Sequence, residues 1–337
     1  MYILGIFASS RRVAAAANFI AVAHATSPFI STYPWNPGFG TKLSDPATLP
    51  TGIGRSVDFN SAGTTIAVAH DTTPYVSVYP WSAGFGSKYA NPATLPPSTA
   101  GTVMFDPNGN NLCVGHSNTP FFSTYPWTTG SGFGTKYTNP ATLPKESGKA
   151  SILNTSVAVA HELSPYVTAY PFTNGTGYGT KYANPATLPG SEGRASAFTV
   201  AGDVLAVGVN NSPYTVTYPW SPGFGTKYAN PASLPASSVF GTAFSPDGAS
   251  IAVAINSSPN VVTYPFSAGF GTKYANPATL PTGTGASVAF SSTGLAIAVG
   301  HATTPYVSTY PWNPGFGTKY ANPATLPATE GFGVGFM

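Results

Sequence analysis

The sequence predicts an all-β fold, a seven-bladed β-propeller whose blades are four-stranded antiparallel sheets. One stretch returns seven times, each return holds four short strand patterns, and 37 Gly and 34 Pro are spread evenly along the chain. The stretch reads Gly-Phe-Gly-Thr-Lys-Tyr-Ala-Asn-Pro at residues 223–231. Its central aromatic residues, 45 to 48 positions apart, are Phe39, Phe85, Phe133, Tyr178, Phe224, Phe270 and Phe316. Such a regular repeat of this length is typical of propellers.

Four strands are predicted in each unit, and residues 242–245, 250–255, 260–264 and 272–274 are one set. The first two are separated by Pro246–Gly248, a turn in which proline fixes φ and glycine accepts positive φ. The second is an apolar run, as expected for a strand buried on both faces. The proline that follows the third strand cannot donate to a ladder and is expected to end it. A strand buried on both faces requires a neighbouring sheet on each side, as in a ring of blades.

The end of the sequence predicts how the ring closes. Nine residues separate the last proline of each repeated stretch from the end of the next first strand, and the interval from Pro327 to Phe336 fits this rule. Gly331–Phe336 is therefore predicted to be the innermost strand of blade 1, beside Phe19–His24, which removes an open sheet edge. The competing hypothesis gives that place to Ser10–Ala14.

Composition limits the classes of function. Only 7 % of the residues are charged and the net charge is +3, so a nonspecific nucleic-acid binder is not expected. The single cysteine, Cys113, lies in an apolar strand pattern and is predicted to be a buried thiol. Residues 1–14 form an apolar leader or an extra strand, and residues 15–337 form one propeller domain. No segment is long and apolar enough to predict a membrane span.

Two resemblances concern the repeat itself. Phe-Ser-Pro-Asp-Gly at residues 244–248, followed by Ile-Ala-Val-Ala, Ser-Pro and a β-branched strand ending in Tyr, resembles WD40-like and YVTN-type propeller repeats. Tyr-Pro-Trp or Tyr-Pro-Phe stands where WD40 repeats carry Trp-Asp. The pattern Ile-Ala-Val-Ala-His with Lys-Tyr-x-Asn-Pro-Ala-Thr-Leu-Pro is similar to propeller repeats of proteins from tailed bacteriophage genomes, marine ones included. That resemblance implies a virion component of the capsid, tail or fibre.

The candidate binding surface lies on the face that carries the turns between second and third strands and the links between blades. These segments vary most from repeat to repeat, and variation on a rigid scaffold is how repeat proteins build binding sites. Around blades 3 and 4 they hold much of the scarce charge. The predicted binding residues are Arg55, Asp71, Lys145, Glu146, Lys149, Glu162, Glu192 and Arg194. The alternative is that these charges only solvate surface loops.

The five histidines occupy one repeat position, on the second strand, where blades 5 and 6 carry Val209 and Ile255. The histidines are His24, His70, His116, His161 and His301. A ring of imidazoles is compatible with a metal or proton site. A position that also accepts valine and isoleucine favours packing against the next blade, and this is the prediction.

Two other positions recur around the ring. Each repeat has a lysine on the outermost strand, predicted to guard an exposed edge, with a basic belt for glycans or an acidic partner as the alternative. These lysines are Lys42, Lys88, Lys136, Lys181, Lys227, Lys273 and Lys319. An aromatic residue follows the proline of the third strand, predicted to be a wedge between blades, with stacking on sugars as the alternative. These are Trp35, Trp81, Trp127, Phe172, Trp220, Phe266 and Trp312.

Catalysis needs a local break in the symmetry of the repeat. The sequence offers no Ser/His/Asp set, no metal-ligand spacing and no phosphate loop, and Gly-Phe-Gly precedes a strand, unlike a dinucleotide motif. No catalytic residue, metal or cofactor is predicted. The prediction is a non-enzymatic virion structural or attachment protein, monomeric within a larger assembly, that contacts other virion proteins or a host glycan. The alternatives are a carbohydrate-binding adhesin and a propeller lyase or lactonase.

Overall fold

The computed structural model describes residues 18–337, and every regular element in this range is a β-strand. The first three blades contain β1 (Asn18–His24), β2 (Ile30–Trp35), β3 (Gly54–Phe59), β4 (Thr65–His70), β5 (Val76–Pro80), β6 (Ala100–Phe105), β7 (Asn111–His116), β8 (Phe122–Thr128) and β9 (Gly132–Phe133). Blades 4 and 5 contain β10 (Lys149–Ile152), β11 (Ser156–Ala160), β12 (Val167–Thr173), β13 (Gly177–Tyr178), β14 (Gly193–Phe198), β15 (Val204–Val209) and β16 (Thr215–Pro219). The remaining strands are β17 (Val239–Phe244), β18 (Ser250–Ile255), β19 (Val261–Pro265), β20 (Gly285–Phe290), β21 (Ala296–His301), β22 (Val307–Pro311) and β23 (Gly331–Phe336).

These strands form seven antiparallel sheets, so the predicted seven-bladed propeller is confirmed. In six of the seven sheets the strands follow chain order from the centre outward, as in β3-β4-β5, and the first blade has β23 inside β1. Nearly every residue of the first two strands of a blade is buried, because each sheet packs on a neighbour at both faces. The predicted division into a leader (1–14) and a propeller (15–337) falls outside the described range, as does the competing strand at Ser10–Ala14.

The predicted ring closure is also confirmed. Strand β23 pairs antiparallel with β1, with Val334 opposite Val22, and becomes the inner strand of the first blade. Beyond the strand, the Met337 amide donates to the Phe19 carbonyl oxygen at 2.9 Å. The first blade is thus built from both ends of the described chain.

The predicted fourth strand is much shorter than expected. Only β9 and β13 reach two residues, and the other five blades have a single bridge such as Trp81↔Phe85. Farther along, the outer segment makes one more hydrogen bond, from the Tyr89 amide to the Val78 carbonyl oxygen. An Asn-Pro pair follows at once, and proline lacks an amide and restricts the residue before it, so the ladder cannot continue.

The inner strands carry one extra residue in six blades. In blade 2, Gly54 pairs with His70 and Ser56 with Ala69, which leaves Arg55 as a bulge. The six bulge residues are Arg55, Gly101, Arg194, Phe240, Ala286 and Phe332. Blade 4 lacks the bulge, because its pairing runs without interruption from Lys149 to Ile152. The nine-residue rule therefore holds in sequence for Pro144 to Leu153, but this inner strand ends one residue earlier.

Each blade is fastened to the preceding one by a tyrosine. The Tyr79 hydroxyl donates to the Thr48 carbonyl oxygen at 2.8 Å, in the Pro-Ala-Thr-Leu-Pro link of the blade before it. Tyr33 makes the same bond to Thr325 at 2.9 Å, across the closure of the ring. The same bond recurs from Tyr125, Tyr170, Tyr218, Tyr264 and Tyr310. The repeated stretch is therefore a brace between blades.

The tryptophan position is a wedge between blades, as predicted. Trp127 meets Tyr89 of the preceding blade edge-on, with ring centroids 4.9 Å apart, and also packs on Phe105 and Phe133. The repeated lysine donates a hydrogen bond to the side chain three residues later in the sequence, as Lys88 does to Asn91 at 2.5 Å. It thereby holds the segment that begins the brace.

The histidines are structural in the described chain. Each Nε2 lies 2.8 to 3.1 Å from the hydroxyl oxygen of a Ser or Thr seven residues ahead, on the adjacent strand. Val209 and Ile255 share buried apolar clusters with Val216 and Val262, which follow at the same spacing of seven residues, so the polar pair is replaced as a unit. Burial lowers the pKa of all five to about 4, so they are neutral at pH 7.

Replacing His70 and Ser77 together by valine reproduces the Val209/Val216 pair and should be tolerated at pH 7.5. Above pH 6.5 His70 is neutral in the folded and in the unfolded chain. Between pH 6.5 and pH 4 only the unfolded chain binds the proton, so the free energy of unfolding falls as the pH is lowered. Between pH 7.5 and pH 6 the variant should lose about 1 kcal/mol less unfolding free energy than the wild type. Urea unfolding at the two pH values measures this difference. An unchanged pH dependence would show that His70 does not titrate on unfolding.

A chain ending at Glu330 lacks β23 and leaves one edge of β1 unpaired. Because an open edge pairs with other chains, this variant should self-associate in size-exclusion chromatography. Adding a synthetic peptide of residues 331–337 should restore the monomeric elution volume. A truncated chain that elutes and melts like the full one would contradict the closure.

Candidate functional site

The bulge residues of four successive blades meet around the centre of the ring. Phe240, Ala286 and Phe332 belong to one buried apolar cluster, and the Arg55 guanidinium carbon lies 4.8 Å from the centroid of the Phe332 ring. The next bulge residue is Gly101, which has no side chain to continue the row. Blade 4 then has no bulge at all. The row of side chains is therefore broken over blades 3 and 4.

A cavity of about 460 Å³ lies at this break, and we refer to it as the central cavity. Its walls come from blades 2, 3 and 4. The lining residues are Arg55, Asp71, Thr72, Thr99, Gly101, His116, Ser117, Ser147, Gly148 and Lys149. Three of the predicted binding residues, Arg55, Asp71 and Lys149, thus share one cavity.

Arg55 and Asp71 form the polar side of blade 2. The Arg55 Nη2 lies 3.5 Å from the Asp71 Oδ2, and the Asp71 Oδ1 accepts a hydrogen bond from the Thr72 hydroxyl at 3.2 Å. Burial lowers the pKa of Arg55, while Asp71 and Glu330 act in the opposite direction. Because arginine keeps its charge in proteins, the guanidinium remains a cation at the cavity wall.

Lys149 is the most buried lysine or arginine in the described chain, with 3 % of its surface exposed. Its Nζ donates to the Ser147 hydroxyl oxygen at 2.8 Å, and no carboxylate in residues 18–337 forms an ion pair with it. Burial lowers its pKa to about 8; Glu162 opposes the shift and Arg194 adds to it. An ammonium has three donors, so this one keeps hydrogen-bonding capacity for an anion.

The remaining predicted residues surround this pair of cations. Arg194 donates to Glu192 at 2.5 Å, and its charge reaches Lys149. Glu146 and Glu162 line a second cavity of about 600 Å³, which shares Ser117 and Ser147 with the central cavity. The predicted Lys145 is exposed in the link before Lys149 and lines neither cavity.

Sequence reasoning missed several lining residues. Gly101, Thr99 and Ser147 carry no individual signal of function in the sequence, and His116 was noted only as a member of the repeated histidine position. One signal was available: the fifth residue after the link proline reads Arg, Gly, Lys, Arg, Phe, Ala and Phe around the ring, at residues 55, 101, 149, 194, 240, 286 and 332. That position changes character between blades while the flanking residues stay small or apolar.

His116 cannot act as a base in this arrangement. Its Nδ1 lies 2.8 Å from the Asn118 carbonyl oxygen, so Nδ1 carries the proton, and Nε2 accepts from the Ser123 hydroxyl at 3.1 Å. Both nitrogens are occupied. In the part of the chain that the structure describes, no three His, Cys, Asp or Glu side chains are grouped to hold a metal ion.

A third cavity, of about 800 Å³, opens on the opposite face between blades 5 and 6. It is lined by hairpin and turn residues, among them Asp203, Tyr228, Asp247 and Phe266. It contains no cation, since neither lysine, arginine nor histidine is part of its lining. The central cavity is therefore the one that collects charges of both signs.

No family model matches the sequence, and no curated protein matches it. Solved structures do share its fold. A candidate 6-phosphogluconolactonase from Bacteroides fragilis superimposes with a TM-score of 0.71 at 11 % identity, over 95 % of this chain and 98 % of that one. A second candidate 6-phosphogluconolactonase, from Bacteroides uniformis, gives 0.69 at 12 % identity over 95 % and 99 %. A protein from Lactobacillus plantarum gives 0.71 at 13 % over the same shares.

These likenesses show a common β-propeller fold. They also correct the interpretation of the sequence as a non-enzymatic virion structural or attachment protein: two of the similar structures are named as candidate lactonases, which favours the lactonase alternative. Nothing among the matches supports a bacteriophage origin or a virion location. Among residues 18–337 there is no helix that could cross a membrane.

Replacing Lys149 by methionine should stabilise the protein. Methionine fills a similar volume without a charge, and the lowered pKa means that the buried ammonium costs about 3 kcal/mol at pH 7. We expect a gain of about 1–3 kcal/mol in the free energy of unfolding. The gain is smaller than the full cost of the charge because the Ser147 hydroxyl loses its hydrogen-bond donor. The gain should shrink as the pH rises from about 8 to 10.5, where the lysine is neutral in both states. Urea unfolding measures the gain, with Lys145→Met as the exposed control. A destabilised Lys149→Met would contradict the uncompensated charge.

Proposed function

We propose that this chain is a lactonase that hydrolyses the cyclic ester of an anionic sugar acid, with 6-phosphogluconolactone as the first substrate to test. The observation that carries the proposal is the central cavity. Two cations, Arg55 and Lys149, and one carboxylate, Asp71, converge there at a place where the repeat loses its symmetry. A volume of about 460 Å³ lies in the range of small-molecule sites.

The two cations suit the charges of this substrate class. A phosphorylated lactone carries a permanent anion, and its carbonyl oxygen becomes negative when water attacks. The Arg55 guanidinium, held by Asp71 and the Phe332 ring, presents a fixed fork of donors suited to phosphate. Lys149 supplies a compact charge whose burial strengthens its attraction to a developing oxyanion.

Asp71 is the water-activating group in the proposed reaction, because it is the carboxylate among the residues that line the central cavity. It accepts a proton from water while the water oxygen forms a bond to the lactone carbonyl carbon. The tetrahedral intermediate then breaks its bond to the ring oxygen, which takes the proton from Asp71. The product is an open-chain hydroxy acid, and its carboxyl group releases a proton to solvent.

The pH profile follows from Lys149. The lysine is charged below its pKa of about 8, so oxyanion stabilisation is present at pH 7 and disappears as the pH rises through 8. We expect kcat/KM to fall above about pH 8, after correction for spontaneous hydrolysis of the lactone. Lys149→Met should remove that limb of the profile together with about 10²–10³-fold of the rate.

Asp71→Asn tests the assignment of the base. It keeps the size of the side chain and should lower kcat about 10²–10⁴-fold, with a smaller change in KM. Asp247→Asn, on the opposite face, is the matched control and should retain activity. The assay follows acid release from 6-phosphogluconolactone and from unphosphorylated gluconolactone. No hydrolysis of either lactone above the spontaneous rate would overturn the proposed function.

A further inference from the structure

We infer that Gly101 sets the specificity of the central cavity: the missing side chain at the bulge of blade 3 opens an anion-binding space between Arg55 and Lys149. The inference deepens the proposed function and rests on the same cavity. It assigns to this space the anionic group of the ligand, a phosphate or carboxylate. It also explains why the cavity is lined by residues of blades 2, 3 and 4.

The first step is the row of bulge side chains. Phe240, Ala286 and Phe332 pack together in one buried cluster, and Arg55 stacks on Phe332. These residues come from blades 6, 7, 1 and 2, which are successive in the ring. Their contacts show that side chains at the bulge position meet their counterparts in the neighbouring blade. A side chain at Gly101 would be the next member of the row.

The second step is the break in the row. Gly101, Lys149 and Arg55 all line the central cavity. Where the row holds Phe240 and Phe332, these side chains are 9 % and 2 % exposed and pack together in one buried cluster. The cavity is found where the row is empty.

The third step concerns the backbone. Gly101 is buried and does not belong to the glycines with positive φ. L residues adopt its conformation without the strain that positive φ imposes. The same bulge holds arginine or phenylalanine in other blades, so the main chain does not demand glycine here. Glycine at this position instead keeps the ligand space open.

The chemistry of the space is set by its two cations. Lys149 is nine-tenths buried or more, has a single hydroxyl acceptor in the described residues, and is short of a carboxylate partner. Buried ammonium groups are costly unless an anion offsets them. A phosphate or carboxylate bound beside Gly101 supplies that anion and contacts Arg55 as well.

The test uses a graded series, Gly101→Ala, Gly101→Val and Gly101→Phe, in the full chain. Gly101→Phe copies the residue found at this bulge in blades 6 and 1. Gly84→Phe is the matched control, because a side chain there meets nothing within 4 Å. Titration calorimetry with inorganic phosphate, and then with 6-phosphogluconate, measures binding, and thermal melting checks the fold.

We expect binding to weaken stepwise with side-chain size, by at least about 10-fold for Gly101→Phe, with the melting temperature kept and Gly84→Phe unchanged. If Gly101→Phe fails to fold, the Ala and Val variants decide by the same trend. Equal binding across the series, or no phosphate binding by the wild type, would overturn the inference. A wild type that hydrolyses no lactone but loses phosphate binding across the series would refute the proposed function alone.

Discussion

The hydrogen bond from a third-strand tyrosine to the link of the preceding blade is the contact on which this propeller depends. Each sheet is apolar on both faces and buries them only between two neighbours. The Tyr79–Thr48 hydrogen bond joins the second blade to the first, and the Tyr33–Thr325 hydrogen bond joins the first blade to the seventh and so completes the ring. The tyrosine side chains are buried between the sheets, and the link carbonyl oxygens give their hydroxyl groups an acceptor. The seven tyrosine hydrogen bonds involve third strands and links only, so the sequences of the inner strands can differ between blades.

That freedom explains where the charges lie. The inner strands face one another at the centre, so a change there needs no change in the brace. One bulge is lost in blade 4 and one bulge side chain is lost in blade 3, and these two changes bring Arg55, Asp71 and Lys149 to a common cavity. A buried lysine without a carboxylate partner is a cost to stability, and such costs are typical of sites kept for function.

Much of the fold was predictable because it depends on periodic features. The repeat length, the first three strands and the closure by Gly331–Phe336 follow from turn residues and apolar runs. The fourth strand was overestimated, since the Asn-Pro pair limits it to one or two residues. The site was predictable only as a charged face. Its assembly depends on a bulge, which shifts pairing by one residue and leaves no mark in composition. The exchange of a His–Ser pair for Val209–Val216 or Ile255–Val262 is seen only when positions on two strands are compared. The prediction of a non-enzymatic protein is contradicted by the likeness to two candidate lactonases, a likeness of the three-dimensional fold at 11 to 12 % identity that sequence motifs do not reveal.

The closing strand has a consequence for synthesis. Because β23 completes the first blade, that blade starts with the earliest described residues and is finished by residues made more than 300 positions later. During translation one edge of β1 remains unpaired until β23 has been made, and the ring cannot close before residue 336 has left the ribosome. A chain interrupted before β23 therefore retains an open edge at β1. Closure of the ring thus depends on the synthesis of residues 331–336, whatever the state of the other six blades.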